Sequence, residues 1–291
     1  MRRLLALCFG LAVSASQAAP ISGSTYGHEL LLAVSRAHPE VMAASITAQP
    51  PKASEAVLVA STDPRTALGG SGAADLAASK GAATVSAVSP SGDRLEVRLP
   101  LRDVSGDTIG TLHLTYGYHA GEDRAALERR AESVRDFLHR RVSHAGNLLD
   151  PYPYEPDAPS HTYAQQLVDE FLERYPQIEI LAIHATPPDS DYNVIVGSNI
   201  GRLGKKADND DMRCVYTGKP NLEVNSTGKR FESEMQLHDR AGNVLGAVGV
   251  VFAYKKEDDK EALHADAEKI KAELEKKIPD SAALFRPAPG K

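Results

Sequence analysis

The sequence contains no tryptophan, and aromatic residues occupy only 5% of its 291 positions. Proteins that bind single-stranded nucleic acids without sequence preference stack the bases on aromatic side chains. A chain this poor in aromatic rings offers little surface of that kind, and it has no indole ring on which a sugar could stack. The composition therefore argues against a single-stranded nucleic-acid partner and against a carbohydrate platform.

The sequence also lacks long apolar runs. Residues 1–18 begin MRR, continue LLALCFGLAV and end SASQA, and this apolar segment falls well short of the ~20 residues that a helix needs to cross a bilayer. A positive start, a short apolar stretch and small residues at the exit are typical of a cleaved secretory signal. An amino-terminal membrane anchor is the alternative. We expect cleavage after Ala18, a periplasmic or secreted protein, and no membrane span in the mature chain.

Cysteine and positive charge are both scarce. Cys8 leaves with the signal, so Cys214 stands alone and the mature chain cannot form an intramolecular disulfide. Loss of Arg2 and Arg3 leaves 31 basic and 39 acidic residues, a net charge of −8. Such a chain repels phosphate backbones. The sequence therefore predicts a fold held by its apolar core and no nucleic-acid partner.

The sequence does contain an internal duplication, at an offset of 136 or 137 residues. TYGHELLLAVSRAHPEV at 25–41 aligns with TYAQQLVDEFLERYPQI at 162–178, and PLRDVSGDTIGTLHLTYGY at 100–118 aligns with QLHDRAGNVLGAVGVVFAY at 236–254. Between the copies, DPYPYEPDAPS has four prolines in eleven residues, which is typical of a stiff linker. The predicted division is signal 1–18, first module 19–149, linker 150–161, second module 162–285 and tail 286–291.

Each copy shows the same order of elements. An amphipathic helix repeats apolar residues every three or four positions and ends before His38-Pro39 or Tyr175-Pro176. Short β-rich runs follow, among them KRFESEMQL, whose alternation predicts one buried and one polar face. The duplicated Asp-to-Tyr stretch predicts two strands joined by a tight turn. Each copy closes with a charged helix, and in the second copy Leu263, Ala267, Ile270 and Leu274 form its apolar stripe.

Two segments carry a family resemblance: GSNIGRLGKKADNDDMRCVYTGKP at 197–220 and LHDRAGNVLGAVGVVFAY at 237–254. Together with the order of elements, they resemble the Cache or PDC domains, which are PAS-like extracytoplasmic sensor modules. The resemblance implies an α+β fold of two modules, each an antiparallel sheet with flanking amino- and carboxyl-terminal helices and a small-molecule pocket between sheet and loops. The amino-acid-binding signature of that family needs a tryptophan, so no amino-acid ligand is predicted.

The two copies differ in the loop that would cover this pocket. The first copy reads ASTDPRTALGGSGAADLAASKGAAT, nearly all small residues, whereas the second is rich in polar side chains. A pocket needs a few convergent polar groups to orient a ligand, so the ligand is expected in the second module. Arg202 and Lys205 would suit an anion, although the charged loop could simply be a solvated surface. The predicted ligand-binding residues are Tyr192, Ser198, Asn199, Arg202, Lys205, Asp211 and Tyr216.

No catalytic or metal motif is recognisable. Ser61 and Ser198 end matching strands without a nucleophile elbow, and Cys214 aligns with an alanine, which favours a small core residue over a reactive thiol. The ten histidines show no zinc-type spacing, and whether His184 and His238 approach each other is left open. We therefore predict no catalytic residue, no metal site and no cofactor.

These observations favour a non-enzymatic periplasmic protein that binds and senses a small molecule, an anionic metabolite or chelate, and acts with a membrane partner. A ligand-free interaction or accessory module of an envelope receptor or transporter is the first alternative. A haem or metal carrier that uses the histidines is the second.

Overall fold

The computed structural model describes residues 24–66, 68–69 and 84–288. The expected signal, residues 1–18, lies outside these ranges, as does most of the small-residue loop of the first copy. Within the described residues, no helix combines the length and the apolar character needed to cross a membrane.

The first half of the described chain builds one sheet and its helices. Its elements are α1 (Tyr26–Ala37), β1 (Val41–Ala48), β2 (Val57–Ser61), β3 (Val85–Val88), β4 (Arg94–Arg102), β5 (Thr108–Gly117), α2 (Arg124–His139) and a 3₁₀ helix (Ala145–Leu149). The five strands form one antiparallel sheet in the order β2-β1-β5-β4-β3.

The second half repeats this arrangement, and its described residues include a helix between the second and third strands. Its elements are α3 (Tyr163–Arg174), β6 (Ile178–Ala185), β7 (Val194–Ser198), α4 (Asn209–Thr217), β8 (Asn221–Val224), β9 (Arg230–His238), β10 (Val244–Ala253), α5 (Lys260–Glu275) and α6 (Ser281–Phe285). Its strands form a second antiparallel sheet in the order β7-β6-β10-β9-β8. The predicted α+β fold of two PAS-like modules, each with an antiparallel sheet and flanking helices, is confirmed.

Local sequence explains where the first helix of each module begins and ends. The hydroxyl of Thr25 accepts the backbone N–H of His28, and the hydroxyl of Thr162 accepts that of Gln165, so each threonine caps its helix. Both helices stop at the residue before a proline, as expected from the clash that proline imposes on its predecessor.

The repeated stretch forms the same hairpin in both modules. In the second hairpin, a carboxylate oxygen of Asp239 accepts the backbone N–H groups of Ala241 and Asn243, both at 2.9 Å. Asp103 does the same in the first hairpin. A side chain on Gly246, in the strand that follows, would collide with the carbonyl oxygen of His184 on the neighbouring strand. The stretch therefore recurs because both sheets use one turn and one close strand contact.

The core of the second module lies on one face of its sheet. Helices α3 and α5 pack there, and Phe171 of α3 and Phe231 of β9 are fully buried. The predicted stripe of α5 joins this core through Ala267, Ile270 and Leu274, with Leu263 packed at its margin. Helix α4 contacts β9 and β10 and lies on the opposite face, which we call the outer face, because Glu234 contacts α4 while its neighbour Ser233 contacts α5.

The first module packs against one end of the outer face. Val104, in the β4–β5 turn, forms a small apolar cluster with Ile180, Ile200 and Val251 of the second module. Lys229 and Asp107 form an ion pair at 2.6 Å beside it. This contact leaves the middle of the outer face to be covered by α4 and the segment that precedes it.

Asn199 joins the two modules through buried hydrogen bonds. Its side-chain oxygen accepts the backbone N–H of Leu181, and its amide donates to the carbonyl oxygens of Arg140 and Glu179. Its own carbonyl oxygen accepts the hydroxyl of Tyr26 in the first module at 3.0 Å. The side chain of Asn199 therefore satisfies three backbone groups at once.

Replacing Asn199 with alanine would leave these three buried backbone groups without hydrogen-bond partners. We expect Asn199→Ala to lower the free energy of unfolding by about 3 kcal/mol, because each buried group left without a partner costs roughly 1–3 kcal/mol. Denaturant unfolding of the full chain measures this. Asn221→Ala, at a site where the side chain bonds only an exposed arginine, should change it by less than about 0.5 kcal/mol. Equal effects would contradict this role of Asn199.

Candidate functional site

The middle of the outer face carries three polar side chains from three different elements. His184 comes from β6, Asp211 from α4 and Glu234 from β9, and one ligand atom of each lies within 4.8 Å of the other two. His184 is only 6% exposed and Glu234 only 4%. We call these three residues the outer-face cluster.

Strand pairing explains why His184 and Glu234 share a face. His184 pairs with Ala247 of β10, Ala247 pairs with Gln236 of β9, and Glu234 is two residues before Gln236. Because side chains two residues apart in a strand point to the same side, both lie over the outer face. Gly249 lies opposite Glu234, and a Cβ atom at this position would lie 3.0 Å from a carboxylate oxygen of Glu232.

Helix α4 brings Asp211 to the cluster through its cap. Asp208 is the N-cap, and its side chain accepts the backbone N–H groups of Asp210 and Asp211. The carboxylate of Asp211 accepts the backbone N–H of Asp208 at 2.7 Å, which completes a capping box. The capping box that starts α4 therefore also fixes the direction of the Asp211 side chain, with a carboxylate oxygen 3.6 Å from Nδ1 of His184.

Burial and close contact shift the protonation of these groups. Burial raises the pKa of Glu234, and its hydrogen bond to Asp211 raises it further. Burial alone would raise the pKa of Asp211, but the hydrogen bond from Glu234 and the neighbouring His184 hold it below its ordinary value. Burial lowers the pKa of His184. At neutral pH, Glu234 therefore stays protonated and its O–H donates a hydrogen bond to the Asp211 carboxylate. His184 is uncharged.

One nitrogen in the cluster is left without a hydrogen bond. Within the described part of the chain, Nδ1 of His184 and Oδ1 of the neighbouring Asn193 are buried and have no hydrogen-bond partner. A buried polar atom in this state costs free energy. The other two histidines of these strands and α5 are bonded, His238 to Glu275 at 2.9 Å and His264 to Ser233 at 2.8 Å. The cluster is therefore an incomplete polar site.

The first module carries different side chains at the matching positions. The same strand pairing places Thr47, Arg98 and His113 where the second module has His184, Glu234 and Gly249. The counterpart of Asp211 lies outside the described residues. The scaffold therefore does not require an acidic cluster at this place.

The predicted ligand-binding residues separate into groups. Asp211 belongs to the outer-face cluster, and Lys205 is near enough to act on the charges of both Asp211 and His184. Ser198 and Asn199 are buried, where Ser198 accepts the backbone N–H of Ile200 and Asn199 joins the modules. Tyr216 is 79% exposed on α4.

Arg202 and Tyr192 lie away from the cluster. Arg202 contacts Asp150 of the linker at 3.4 Å and the His144 ring at the same distance. Tyr192 is 58% exposed, and the Lys206 ammonium lies 3.8 Å from the centre of its ring. Both Tyr192 and Lys206 line a groove of about 370 Å³ between β7 and the Pro-rich linker.

Sequence reasoning missed Glu234 and left His184 undecided. Their separation in sequence conceals their proximity, because it depends on the register of β6, β10 and β9. The alternation in β9 did assign Glu234 to the polar face, but that face is covered by α4 rather than by solvent. His238 bonds Glu275 of α5, on the core side, and does not join His184. Cys214 is buried as predicted, and burial raises its pKa to about 11.

Because the pKa of Glu234 is raised in the folded chain, the free energy of unfolding depends on pH. The folded chain holds one proton that the unfolded chain releases above its ordinary carboxyl pKa, so stability falls as pH rises beyond about 4.5. We expect Glu234→Gln to reduce the slope of the unfolding free energy against pH, between pH 5 and 8, by up to ~1.4 kcal/mol per pH unit. Denaturant unfolding of chelator-treated protein at each pH measures it. Glu257→Gln, at an exposed position in the loop after β10, should keep the natural slope.

Comparisons with known proteins give no family. No family model matches the chain, and no curated protein matches it. Solved structures similar to parts of it include the A. aeolicus NLH2 GAF domain in an inactive state, at 18% identity and a TM-score of 0.31 over 44% of this chain and 86% of that one. A putative transcriptional regulator of the IclR family shows 14% identity and a TM-score of 0.27, over 43% and 97%.

PelD 158-CT from Pseudomonas aeruginosa PAO1 matches over 88% of this chain and 78% of its own length, at 13% identity and a TM-score of 0.29. At these identities and TM-scores, none of the three similarities carries an argument about the ligand or the function. The assignment of function therefore depends on the outer-face cluster itself.

Proposed function

We propose that this is a non-enzymatic binding and sensing protein of the cell envelope, and that its second module holds a small cationic ligand at the outer-face cluster. The observation that carries the proposal is the difference between the modules. Where the second sheet has His184, Glu234 and Gly249, the first has Thr47, Arg98 and His113 on the same scaffold. A difference of this kind, confined to a covered polar site, indicates a role other than folding.

The sign of the charge favours a cation over the anion that the loop sequence suggests. Arg202 contacts Asp150 and His144, so it is directed away from the cluster. The groups that face the space between β6, β9 and α4 are mostly acidic, and Lys205 and the more distant Arg202 are the counter-charges that act on this face. A bound cation would allow both carboxylates to ionise while remaining buried.

A sensing role is supported by the segment between β7 and α4. One end of this segment holds Asn199 and Ile200, whose carbonyl oxygens accept hydrogen bonds from the first module. The other end leads directly into the capping box that orients Asp211. A ligand that draws Asp211 towards His184 would act on a segment that the first module holds, which is the differential contact that a two-state switch needs. A membrane partner would receive this change.

A second candidate function, a docking module for an envelope receptor or transporter, is favoured by the groove beside the linker. It is lined by apolar and aromatic side chains, including Ile195, Tyr192 and Phe285. Such a protein would need no ligand in either module. Chemical cross-linking in intact envelopes, with a photoreactive residue at Tyr192, would support this function if one partner is captured and no ligand stabilises the purified chain.

The proposed function is tested by a thermal-shift panel on the full chain. The panel contains metal ions, short polyamines and dicarboxylates. We expect at least one cation to raise the melting temperature by about 5 °C or more, since occupancy at a hundred times Kd adds roughly 2.7 kcal/mol. Dicarboxylates should have no effect.

Two variants identify the site of this stabilisation. Glu234→Gln should abolish the shift, because it removes a cluster carboxylate while keeping the shape of the side chain. Arg202→Ala, which changes a charge outside the cluster, should leave the shift intact. Stabilisation by dicarboxylates that depends on Arg202 would overturn the proposal and restore the anion site.

A further inference from the structure

The outer-face cluster has the size of an ion site rather than of a metabolite pocket. Its three ligand atoms all lie within 4.8 Å of one another. Two metal–ligand bonds of about 2.0–2.2 Å span at most ~4.4 Å, so a side-chain shift of a few tenths of an ångström brings all three atoms onto one ion. This spacing suits a single bound ion.

We propose, on the basis of the function inferred above, that His184, Asp211 and Glu234 bind one divalent first-row transition-metal ion, with Nδ1 of His184 as the nitrogen ligand. The three residues come from β6, α4 and β9, so the ion would tie the covering helix to two strands of the sheet. The remaining coordination position is left for water or for a further ligand.

The nitrogen Nδ1 of His184, which has no hydrogen bond, distinguishes a metal site from an ordinary buried ion pair. Nδ1 of His184 is 3.6 Å from the Asp211 carboxylate, too far for a hydrogen bond, and it has no partner among the described residues. Nδ1 of His238, on β9, is by contrast bonded to Glu275 at 2.9 Å. The buried lone pair of His184 is satisfied by a metal ion, because neutral imidazole is a metal ligand.

The donor set selects the class of ion. Mg²⁺ and Ca²⁺ prefer sites made entirely of oxygen ligands, whereas one imidazole and two carboxylates suit Zn²⁺, Ni²⁺, Co²⁺ or Mn²⁺. A soft thiolate site is excluded by Cys214, whose sulfur is bonded to the Glu234 carbonyl oxygen rather than directed at the cluster. Two ionised carboxylates also neutralise a divalent charge, which lowers the cost of burying it.

Helix α4 already holds one ligand in position. The capping box fixes Asp211 through Asp208, and Glu234 lies on a strand paired on both sides. Supporting contacts of this kind orient metal ligands and raise affinity. In the first module, Arg98 stands where Glu234 does and would repel a cation, so we expect one ion per chain.

The proposal is tested on the full chain after chelator treatment, by isothermal titration with Zn²⁺, Co²⁺, Mg²⁺ and Ca²⁺. We expect one equivalent of Zn²⁺ or Co²⁺ to bind, a visible Co²⁺ absorption band, and no binding of Mg²⁺ or Ca²⁺ at the same concentration. His184→Ala should weaken binding by more than about 100-fold, since loss of an outer-shell partner alone costs 10–100-fold.

Two further variants distinguish a loss of metal binding from a loss of folding. Asp211→Asn replaces one carboxylate oxygen with an NH2 group and keeps the shape of the side chain, so retained circular dichroism with lost binding supports the site even if His184→Ala unfolds. His238→Ala removes a histidine that pairs with a glutamate on the core side, and it should bind metal as the natural chain does. Binding that survives both His184→Ala and Asp211→Asn would overturn the proposal.

The outcomes separate this proposal from the function on which it rests. Polyamine stabilisation that Glu234→Gln abolishes, without any metal binding, overturns the metal site and leaves the cation-binding function standing. Absence of both overturns both. One equivalent of transition metal lost in the cluster variants supports both.

Discussion

A carboxyl group that a helix covers must either keep its proton or face a cation, and Glu234 is such a group. It lies on a central part of the second sheet, under α4, with Asp211 and His184 as its polar neighbours. Desolvation penalises its charge, so in the isolated chain it holds a proton shared with Asp211. The same arrangement stabilises a cation once the proton leaves. Helix α4 and strands β6 and β9 bring these three groups together.

The duplication shows how such a site is built without changing the scaffold. The hairpin turn uses an aspartate in both modules, and the first helix uses a threonine cap and a tyrosine whose hydroxyl bonds the segment after the closing helix. These repeated contacts hold each sheet and its helices. The outer face is not part of this framework, so Thr47 and Arg98 in one copy and His184 and Glu234 in the other are both compatible with folding.

The two modules are also joined by asymmetric contacts. Val104 of the first module packs on Ile180 and Val251 of the second, at the end of the face that also bears the cluster. Asn199 and the hydroxyl of Tyr26 bond across the same boundary. The segment that carries these contacts continues into α4. A change at Asp211 therefore has a short physical route to the first module, through chain that is bonded at both ends.

The sequence by itself determined the elements and their repetition, because helix caps, pre-proline stops, strand alternation and tight turns are local. It indicated the order of elements, the apolar stripe of α5 and the buried state of Cys214. Tertiary structure alone decided which polar groups meet. Arg202 and Asn199 belong to one sequence segment with Lys205, yet Arg202 turns to the linker and Asn199 to the first module. Conversely, His184, Asp211 and Glu234 are far apart in sequence and converge only because strand register and a helix cap bring three elements together.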